Sequence, residues 1–279
     1  MSSRMRALIT GATGFIGSTL GTRLRAAGWE VVALTSNGRR VDVRDADGVK
    51  DTISGIAPDV VYHLGGVSGP MLLTDDLASV IDINCVGSLN VIRSAVEANV
   101  PRVVFGASVG SYAGEADGEP LADSIYGMTK RFGEMLTAYF GAGSESAACS
   151  VRIGSTYGAG RVTFNPVHEM VRSAKRHGLV EYNENQREPM IWVEDCAELL
   201  ANLAATPVLR SSYDAVTELL THRELAEAIA AEFDGSTRAY SGEKSWYPRG
   251  FRELRTSTDG LVKSPMRLSD AITEIASVV

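Results

Sequence analysis

Two side chains in the segment that begins at Ser124 have the types and the spacing for acid–base chemistry. Tyr126 and Lys130 are four residues apart in a segment that predicts a helix, and residues at that spacing share one helix face. A free tyrosine has a pKa near ~10, which is too high for a good base at neutral pH. A lysine ammonium one turn away favours the phenolate, which could take a proton from a hydroxyl. On an ordinary solvated helix the same pair would have no catalytic role, so the rest of the sequence has to show whether this pair is catalytic.

A glycine-rich segment near the N-terminus, TGATGFIG, joins a predicted strand to a predicted helix. Gly11 permits a tight turn, Gly14 lets the backbone approach a pyrophosphate, and Gly17 lets the helix pack close to the strand. Phosphates would sit at the helix N-terminus, against free N–H groups and the positive end of the helix dipole. The spacing therefore predicts a dinucleotide site. Its expected phosphate contacts are Gly11, Thr13, Gly14, Phe15, Ile16 and Gly17.

Strands and helices alternate through the first 160 residues. The predicted strands cover 6–11, 30–35, 58–66, 102–108 and 147–158, and the predicted helices cover 18–28, 46–56, 78–100 and the segment from Ser124. This alternation predicts an α/β fold with a doubly wound parallel sheet. The pattern changes after residue 160. We therefore expect a nucleotide-binding domain at 1–160, to which 186–206 returns, and a smaller C-terminal α/β lobe at 161–279.

The composition limits the possible partners. The chain has 279 residues, 44% of them hydrophobic, and a net charge of -7 with the two signs interspersed, which argues against a nucleic-acid partner. Its three cysteines form no CxxC pair and its four histidines have no metal-ligand spacing, so we expect no metal site and a reducing compartment. No apolar run approaches the ~20 residues that span a bilayer. These features predict a cytoplasmic protein that binds neither membrane nor nucleic acid.

The end of the second predicted strand bears on the choice between NAD and NADP. An acidic residue at this position usually binds the adenosine ribose, but Thr35 stands there, followed by SNGRR. A carboxylate would repel a 2′-phosphate, whereas Arg39 and Arg40 could bind one. The sequence favours NADP, with contacts from Thr35, Ser36, Arg39 and Arg40. NAD stays open, because both arginines could be solvated loop residues.

Several further motifs accompany the glycine-rich turn and the YxxxK pair. They are VDVRD with Asp42–Val43, HLGG at His63–Gly66, NCVGS at Asn84–Ser88 and RIGSTYG at Arg152–Gly158. Together these motifs resemble the extended short-chain dehydrogenase/reductase superfamily, of the NAD-dependent epimerase/dehydratase type. The resemblance covers most of the chain and implies a Rossmann fold.

The resemblance also implies roles for individual residues. Ser108, at the end of the fourth predicted strand, completes a catalytic set with Tyr126 and Lys130, and Lys130 also binds the nicotinamide ribose. The helix 78–100 and the helix from Ser124 correspond to those that form a four-helix bundle in dimeric family members, which implies a homodimer. The remaining implied cofactor contacts are Asp42, Val43, Leu64, Gly65, Gly66, Asn84, Tyr126, Lys130 and Ile153.

The two residues after Ser108 limit the reactions that the site could catalyse. Similar dehydratases carry an Asp–Glu pair there, and this chain has Val109 and Gly110, which excludes 4,6-dehydration. The first alternative is hydride transfer to or from a secondary alcohol or ketone of a sugar or related small molecule. The second is a nucleotide-sugar 4-epimerase with tightly bound NAD. The third is an NAD(P)-binding regulator without catalytic activity.

The substrate contacts are less specific in the sequence. The resemblance implies Ser68, Ser108, Tyr126 and Ser155, the last in place of the usual Asn. Arg249 lies ten residues before Asp259, a spacing that similar enzymes use to bind a diphosphate. A nucleotide sugar and a small polyol, sugar acid or ketone all remain open as substrates.

Overall fold

The computed structural model describes residues 4–36, 38–68, 73, 75–112, 114–116, 119–122, 124–242, 258 and 260–279. The strands are β1 (Arg6–Thr10), β2 (Glu30–Ala33), β3 (Thr35–Ser36), β4 (Arg39–Arg40), β5 (Val60–His63), β6 (Arg102–Ser108), β7 (Gly114–Ala116), β8 (Glu119–Leu121), β9 (Ala147–Ile153), β10 (Ser155–Tyr157), β11 (Leu179–Asn183), β12 (Arg187–Trp192), β13 (Ser212–Ala215), β14 (Glu218–Thr221) and β15 (Ser236–Tyr240).

Nine helices are present in the described part of the chain. They are α1 (Phe15–Ala26), α2 (Ala46–Ile56), α3 (Leu77–Ile81), α4 (Gly87–Glu97), α5 (Ile125–Gly141), α6 (Pro166–His177), α7 (Val193–Leu203), α8 (His222–Glu232) and α9 (Leu268–Val278). A π-helical segment, Asp82–Val86, connects α3 to α4, and a 3₁₀ turn, Val109–Tyr112, follows β6. None of the helices in the described part of the chain is long and apolar enough to cross a membrane.

The central sheet has six parallel strands in the order β13-β9-β6-β5-β1-β2. The apolar residues of β1 and β5 are fully buried, as expected for strands covered on both faces. The chain moves outward from β1 to β2 and then returns to place β5 on the other side of β1. Ligands bind such sheets where the strand order reverses, so the crevice at the carboxyl ends of β1 and β5 is the expected binding position. The predicted doubly wound sheet is confirmed.

Helices cover both faces of this sheet. On one face α1 packs against α7, and on the other α2, α4 and α5 pack in a row. Leu199, Leu200 and Leu203 of α7 belong to the same apolar core as β1, β5 and β9. This packing supports the expected return of 186–206 to the first domain, and the boundary at residue 160 stays a proposal.

A second apolar core follows residue 157. It joins α6, α8 and α9 to a three-stranded sheet in the order β10-β12-β14 and to β11, which pairs with β15. Asn165 caps α6, whose first residue is Pro166, and Thr221 with Glu224 forms a capping box on α8. This core carries the chain segments that border the crevice on the side opposite the glycine-rich turn.

Two short features differ from the expectation drawn from the sequence. Thr35–Arg40, expected to be a strand end and a loop, forms the antiparallel pair β3-β4 around Gly38, whose φ is +73°. The expected strand 147–158 divides at Gly154 into β9 and β10, which join different sheets. A Cβ on Gly154 would lie 2.7 Å from the carbonyl oxygen of Pro189. Strands of two or three residues are too short to show a hydrophobic periodicity. The sequence therefore predicts neither the β3-β4 pair nor the separate strand β10.

Helix α5 lies unusually close to β6 because of a glycine at the contact. An ideal Cβ on Gly133 would overlap the buried ring of Phe105, and even the Cε2 atom would be 2.9 Å away. The absence of a side chain therefore sets the distance between the helix and the strand. That distance matters because α5 carries Tyr126 and Lys130, and β6 carries Ser108.

We expect Gly133→Ala to lower the free energy of unfolding by about 1–3 kcal/mol, because the added methyl group forces Phe105 to move in a filled core. Gly55→Ala is the matched control, since Gly55 also lies in a helix but has open space around its Cβ position. That change should stabilise by about 0.5–1 kcal/mol through helix propensity. Urea unfolding measures both, and a stabilising Gly133→Ala would contradict the close packing.

Candidate active site

The glycine-rich turn approaches the end of β5 at backbone distance. Gly11 has a φ of +70°, and a Cβ there would lie 2.8 Å from the Cα of Gly65. A Cβ on Gly65 would in turn lie 3.0 Å from the backbone nitrogen of Gly11, and one on Gly17 would overlap the Gly11 carbonyl oxygen. These three positions accept no side chain without moving the turn, so the glycines define the floor of the crevice.

The N-terminus of α1 is suited to an anion. Gly14 is its N-cap, and no side chain among the described residues caps the helix. The first turn of α1 also lacks acidic side chains. The first backbone N–H groups of a helix and its dipole favour a negative ligand at such an end. The predicted contacts Thr13, Phe15 and Ile16 belong to this turn, which fits the pyrophosphate of a dinucleotide.

The predicted adenosine end lies beside the β3-β4 pair. Thr35 pairs with Arg40, and the side chains of Arg39 and Arg40 are exposed. The side chain of Ser36 lies outside the described residues. Asp42 is bound by Arg44, with the Nη2 atom 2.6 Å from the Oδ2 atom. This hydrogen bond, assisted by the charge of Arg40, lowers the pKa of Asp42 to about 2.

Val43 is fixed from the opposite side. The Nδ2 atom of Asn90 donates to the Val43 carbonyl oxygen at 3.0 Å, and Gly87 leaves room for the Val43 side chain. Val43, an expected cofactor contact outside any strand or helix, is therefore held in place by α4.

A buried hydrogen-bond chain joins the ends of β1 and β5. The Gly65 N–H donates to Thr10 Oγ1 at 2.9 Å, and Thr10 Oγ1 lies 2.7 Å from His63 Nδ1. The other ring nitrogen, Nε2, lies 3.0 Å from Ser88 Oγ. Burial lowers the pKa of His63 to about 3, so the ring is neutral, with Nδ1 accepting from Thr10 and Nε2–H donating to Ser88. His63 braces the crevice floor and has no acidic partner in this chain of contacts.

Asn84 joins the loop after β5 to α5. Its Oδ1 accepts from the Val67 N–H at 2.7 Å, and its Nδ2 donates to the Val67 carbonyl at 3.2 Å and to Thr129 Oγ1 at 3.0 Å. The residue lies in the π-helical segment between α3 and α4, a helix irregularity that recurs at functional sites. A Cβ on Gly66 would lie 2.8 Å from Asn84 Oδ1. The amide of Asn84 therefore ties the loop after β5 to α5 through Thr129.

Lys130 places an ammonium group inside the protein. Its Nζ donates to the Gly106 carbonyl oxygen at 2.9 Å and lies 5.7 Å from the centre of the Tyr126 ring and 5.2 Å from that of Phe105. Burial lowers the pKa of Lys130 to about 8, which still leaves the group charged at neutral pH. Tyr126 and Lys130 thus share one face of α5, directed at the carboxyl end of β6.

Ser108 is the last residue of β6 and pairs in register with Ile153, the last residue of β9. The Ser108 Oγ accepts a hydrogen bond from the Gly110 N–H at 3.1 Å. A hydroxyl can accept and donate at once, so its proton remains available for another oxygen. The strand ends therefore bring the expected Ser108, Ile153 and the α5 pair to one edge of the sheet.

A polar cluster behind Lys130 was not found from the sequence. Glu134, one turn further along α5, is buried and binds Arg152 through Oε2 and Nε at 2.9 Å. The Tyr112 hydroxyl donates to the same carboxylate at 3.3 Å, and the Arg152 guanidinium stacks on the Tyr112 ring at 4.4 Å. Burial raises the pKa of Glu134, and the charge of Arg152 opposes that rise. The four-residue spacing of Lys130 and Glu134, which places both on one helix face, was the sequence feature that could have indicated this cluster.

The residues expected to contact the substrate lie in different surroundings. The Ser155 hydroxyl accepts from Asn165 Nδ2 at 3.2 Å and so ties β10 to the N-cap of α6. Ser68 is half-buried in the loop after β5. Arg249 lies outside the described residues. Within the described ranges, no group of three or more His, Cys, Asp or Glu side chains could hold a metal ion.

One protein-family model and several curated proteins match this chain. The model of the NAD dependent epimerase/dehydratase family matches residues 7–215. The chain is 33% identical over 139 residues to UDP-glucose 4-epimerase of Mycolicibacterium smegmatis, which covers 43% of this chain and 44% of that protein. It is 29% identical over 175 residues to L-arabinose 1-dehydrogenase (NAD(P)(+)) of Haloferax volcanii, covering 53% and 66%.

A third relative is uronate dehydrogenase of Pseudomonas syringae pv. tomato, 27% identical over 170 residues, covering 54% of this chain and 60% of that protein. The chain thus spans between 44% and 66% of the length of these three curated relatives.

Solved structures share the whole architecture. UDP-glucose 4-epimerase of Thermus thermophilus, in complex with NAD, superposes with a TM-score of 0.74 at 22% identity and covers 99% of this chain and 100% of that one. WbmG of Bordetella bronchiseptica, in complex with NAD and UDP, superposes with a TM-score of 0.78 at 19% identity and covers 99% and 94%. At these identities the likeness establishes the Rossmann-type fold.

Proposed function

The chain belongs to the NAD dependent epimerase/dehydratase family, and we propose that it transfers a hydride between a nicotinamide dinucleotide and a secondary alcohol or ketone carbon of a sugar or related small molecule. One observation carries this proposal. The turn that suits a pyrophosphate and the pair of Tyr126 and buried Lys130 lie at the carboxyl edge of the same sheet. A nicotinamide supplies the hydride acceptor or donor when it is bound there.

The proton steps belong to this chain's own side chains. The ammonium of Lys130 favours the phenolate of Tyr126, which removes the proton from the substrate hydroxyl during oxidation. In the reverse direction the Tyr126 hydroxyl returns that proton to the carbonyl oxygen. Ser108 donates a hydrogen bond to the same oxygen and orients it. Gly106 and Gly133 keep Lys130 at its position, because one accepts its hydrogen bond and the other allows α5 to approach β6.

Tyr126→Phe removes the acid–base group and leaves the ring. We expect kcat to fall by about 10²-fold or more, the scale of lost general acid–base help, while dinucleotide binding is retained. Steady-state kinetics with a panel of sugars, together with fluorescence titration of the dinucleotide, measures both quantities. Tyr240→Phe, at an exposed tyrosine on β15, is the matched control and should leave kcat unchanged. An unchanged kcat in Tyr126→Phe would refute the assignment.

The alternative is a nucleotide-sugar 4-epimerase that retains NAD, and the similarity to UDP-glucose 4-epimerase of Mycolicibacterium smegmatis favours it. Both reactions use Ser108, Tyr126 and Lys130, so the site alone does not separate them. An epimerase regenerates its cofactor within each cycle and has no need to release it. The nucleotide that purified protein yields on denaturation therefore distinguishes the two reactions. An inactive regulator is less well supported, because both Tyr126 and Lys130 are present.

We propose NADP as the preferred cofactor. The exposed arginines of β4 lie beside the position where a ribose-binding acid is replaced by Thr35, and Asp42 is already held by Arg44. A 2′-phosphate would give Arg39 and Arg40 an anionic partner.

Replacing Arg39 and Arg40 together by serine should therefore raise the Kd for NADPH by about tenfold or more and leave the Kd for NADH nearly unchanged. Isothermal titration of nucleotide-free protein measures both constants. Arg238→Ser, at an exposed ion pair on β15, is the control for general charge loss. Equal effects on the two nucleotides, or a wild-type preference for NADH, would contradict the NADP proposal.

A homodimer through α4 and α5 is also proposed. Met128, Phe132, Met135 and Tyr139 form one face of α5, and this face is exposed along its length. The adjoining α4 packs beside it, which gives the two helices per protomer that a four-helix bundle needs.

Met135→Glu should then convert the dimer to a monomer, because a charge would be buried at the centre of the bundle. Light scattering at micromolar concentration gives the mass. Val208→Glu, at an apolar side chain that is 81% exposed elsewhere, is the control and should remain dimeric. Monomeric wild-type protein would refute the proposal.

A further inference from the structure

Arg161 occupies the loop between β10 and α6, on the side of the crevice opposite α1. Its Nη1 donates to the Thr156 carbonyl oxygen at 2.6 Å and its Nη2 donates to the Phe164 carbonyl oxygen at 3.2 Å. The guanidinium carbon lies 5.8 Å from the centre of the Phe15 ring, at the start of α1. One carbonyl of β10 and one of the following loop therefore fix this cation near the start of α1.

The guanidinium lacks the partner that a half-buried cation usually has. No carboxylate within the described ranges lies at ion-pair distance from Arg161, and Glu188, the acid that acts on it most strongly, pairs with His222 at 3.5 Å. The Nε–H is buried without a hydrogen-bond partner among these residues, and each Nη keeps a second N–H. Removing such a charge from water is costly unless an anion compensates it.

The position of Arg161 relative to the reacting groups indicates where that anion would come from. Burial lowers the pKa of Arg161, and the charge of an ionised Tyr126 opposes that fall, so the two side chains lie within range of each other's charge. Phe15 contacts the cation from the cofactor side. The guanidinium thus borders the volume between the catalytic phenol and the dinucleotide turn, where a substrate has to lie.

We propose that Arg161 binds an oxyanion carried by the sugar substrate and so makes this enzyme selective for acidic over neutral sugars. This inference rests on the proposed function and names the substrate class of the same site. A carboxylate on the sugar and a phosphate on its anomeric carbon present the same chemistry to a guanidinium, namely oxygens that accept charge-assisted hydrogen bonds. Arg161 is a binding residue, with no part in the proton transfer.

The test measures binding in the Tyr126→Phe background, with saturating dinucleotide, so that turnover is slow during the titration. The probes are galactose, galacturonate and galactose 1-phosphate, and the same three forms of glucose, titrated by calorimetry. We expect at least one acidic form to bind about tenfold tighter than its neutral parent. Arg161→Gln should abolish that preference, and Arg161→Lys should keep only part of it, with the Kd of the dinucleotide unchanged. The carboxylate and phosphate probes distinguish the two sources of the anion.

Arg223→Gln is the matched control, because the Arg223 guanidinium also lies near an aromatic ring, 5.7 Å from the centre of that of Tyr182, but Arg223 is exposed. It should retain the preference. Equal binding of acidic and neutral sugars, or a preference that survives Arg161→Gln, would overturn the inference. A loss of dinucleotide affinity in Arg161→Gln would also overturn it, because the guanidinium would then bind the cofactor. If Arg161→Gln does not fold, Arg161→Lys takes its place. An acidic preference as large as that of Arg161 would then overturn the inference.

Because the experiment measures sugar binding and not turnover, its failure can be distinguished from failure of the proposed function. Tighter binding of acidic sugars without turnover in the wild-type protein would refute only the hydride transfer. Turnover of neutral sugars with no acidic preference would refute only the role of Arg161.

Discussion

The side chain of Lys130 places a positive charge inside the protein, and much of the site is arranged around that charge. A buried ammonium is expensive unless it keeps a hydrogen bond and a favourable field. The Gly106 carbonyl oxygen supplies the hydrogen bond, and the Phe105 and Tyr126 rings face the ammonium. Gly133 allows the helix to come this close to β6. Because charges interact more strongly away from water, the proposed effect of Lys130 on Tyr126 depends on this buried position.

The glycine-rich turn and α5 are positioned by separate polar contacts. Thr10 and His63 fix the turn to the end of β5, and Asn84 fixes the following loop to α5 through Thr129. Each of these side chains is buried and hydrogen-bonded, and buried polar groups in this state rigidify their surroundings. A nicotinamide and a substrate would therefore meet a preformed edge of the sheet.

The sequence predicted the parts of this arrangement that have a strong pattern. The alternation of strands and helices predicted the parallel sheet, and the glycine spacing predicted the turn at Gly11. The division at Gly154 and the β3-β4 pair depend on contacts between distant segments, so no local pattern announced them. The partners of Glu134 and Arg161 likewise become visible only once β9, β10 and α5 are brought together, because a lone charged residue in a sequence usually lies on a solvated surface.

The central claim is that buried Lys130 makes Tyr126 an acid–base group at physiological pH. The most direct measurement is the ultraviolet titration of the Tyr126 phenolate, as the difference between wild-type protein and Tyr126→Phe, repeated in a Lys130→Met background. We expect Tyr126 to lose its proton at a lower pH than the ~10 of a free tyrosine, and Lys130→Met to reverse this change. Ionisation near or above the free value, unaffected by Lys130→Met, would contradict the claim.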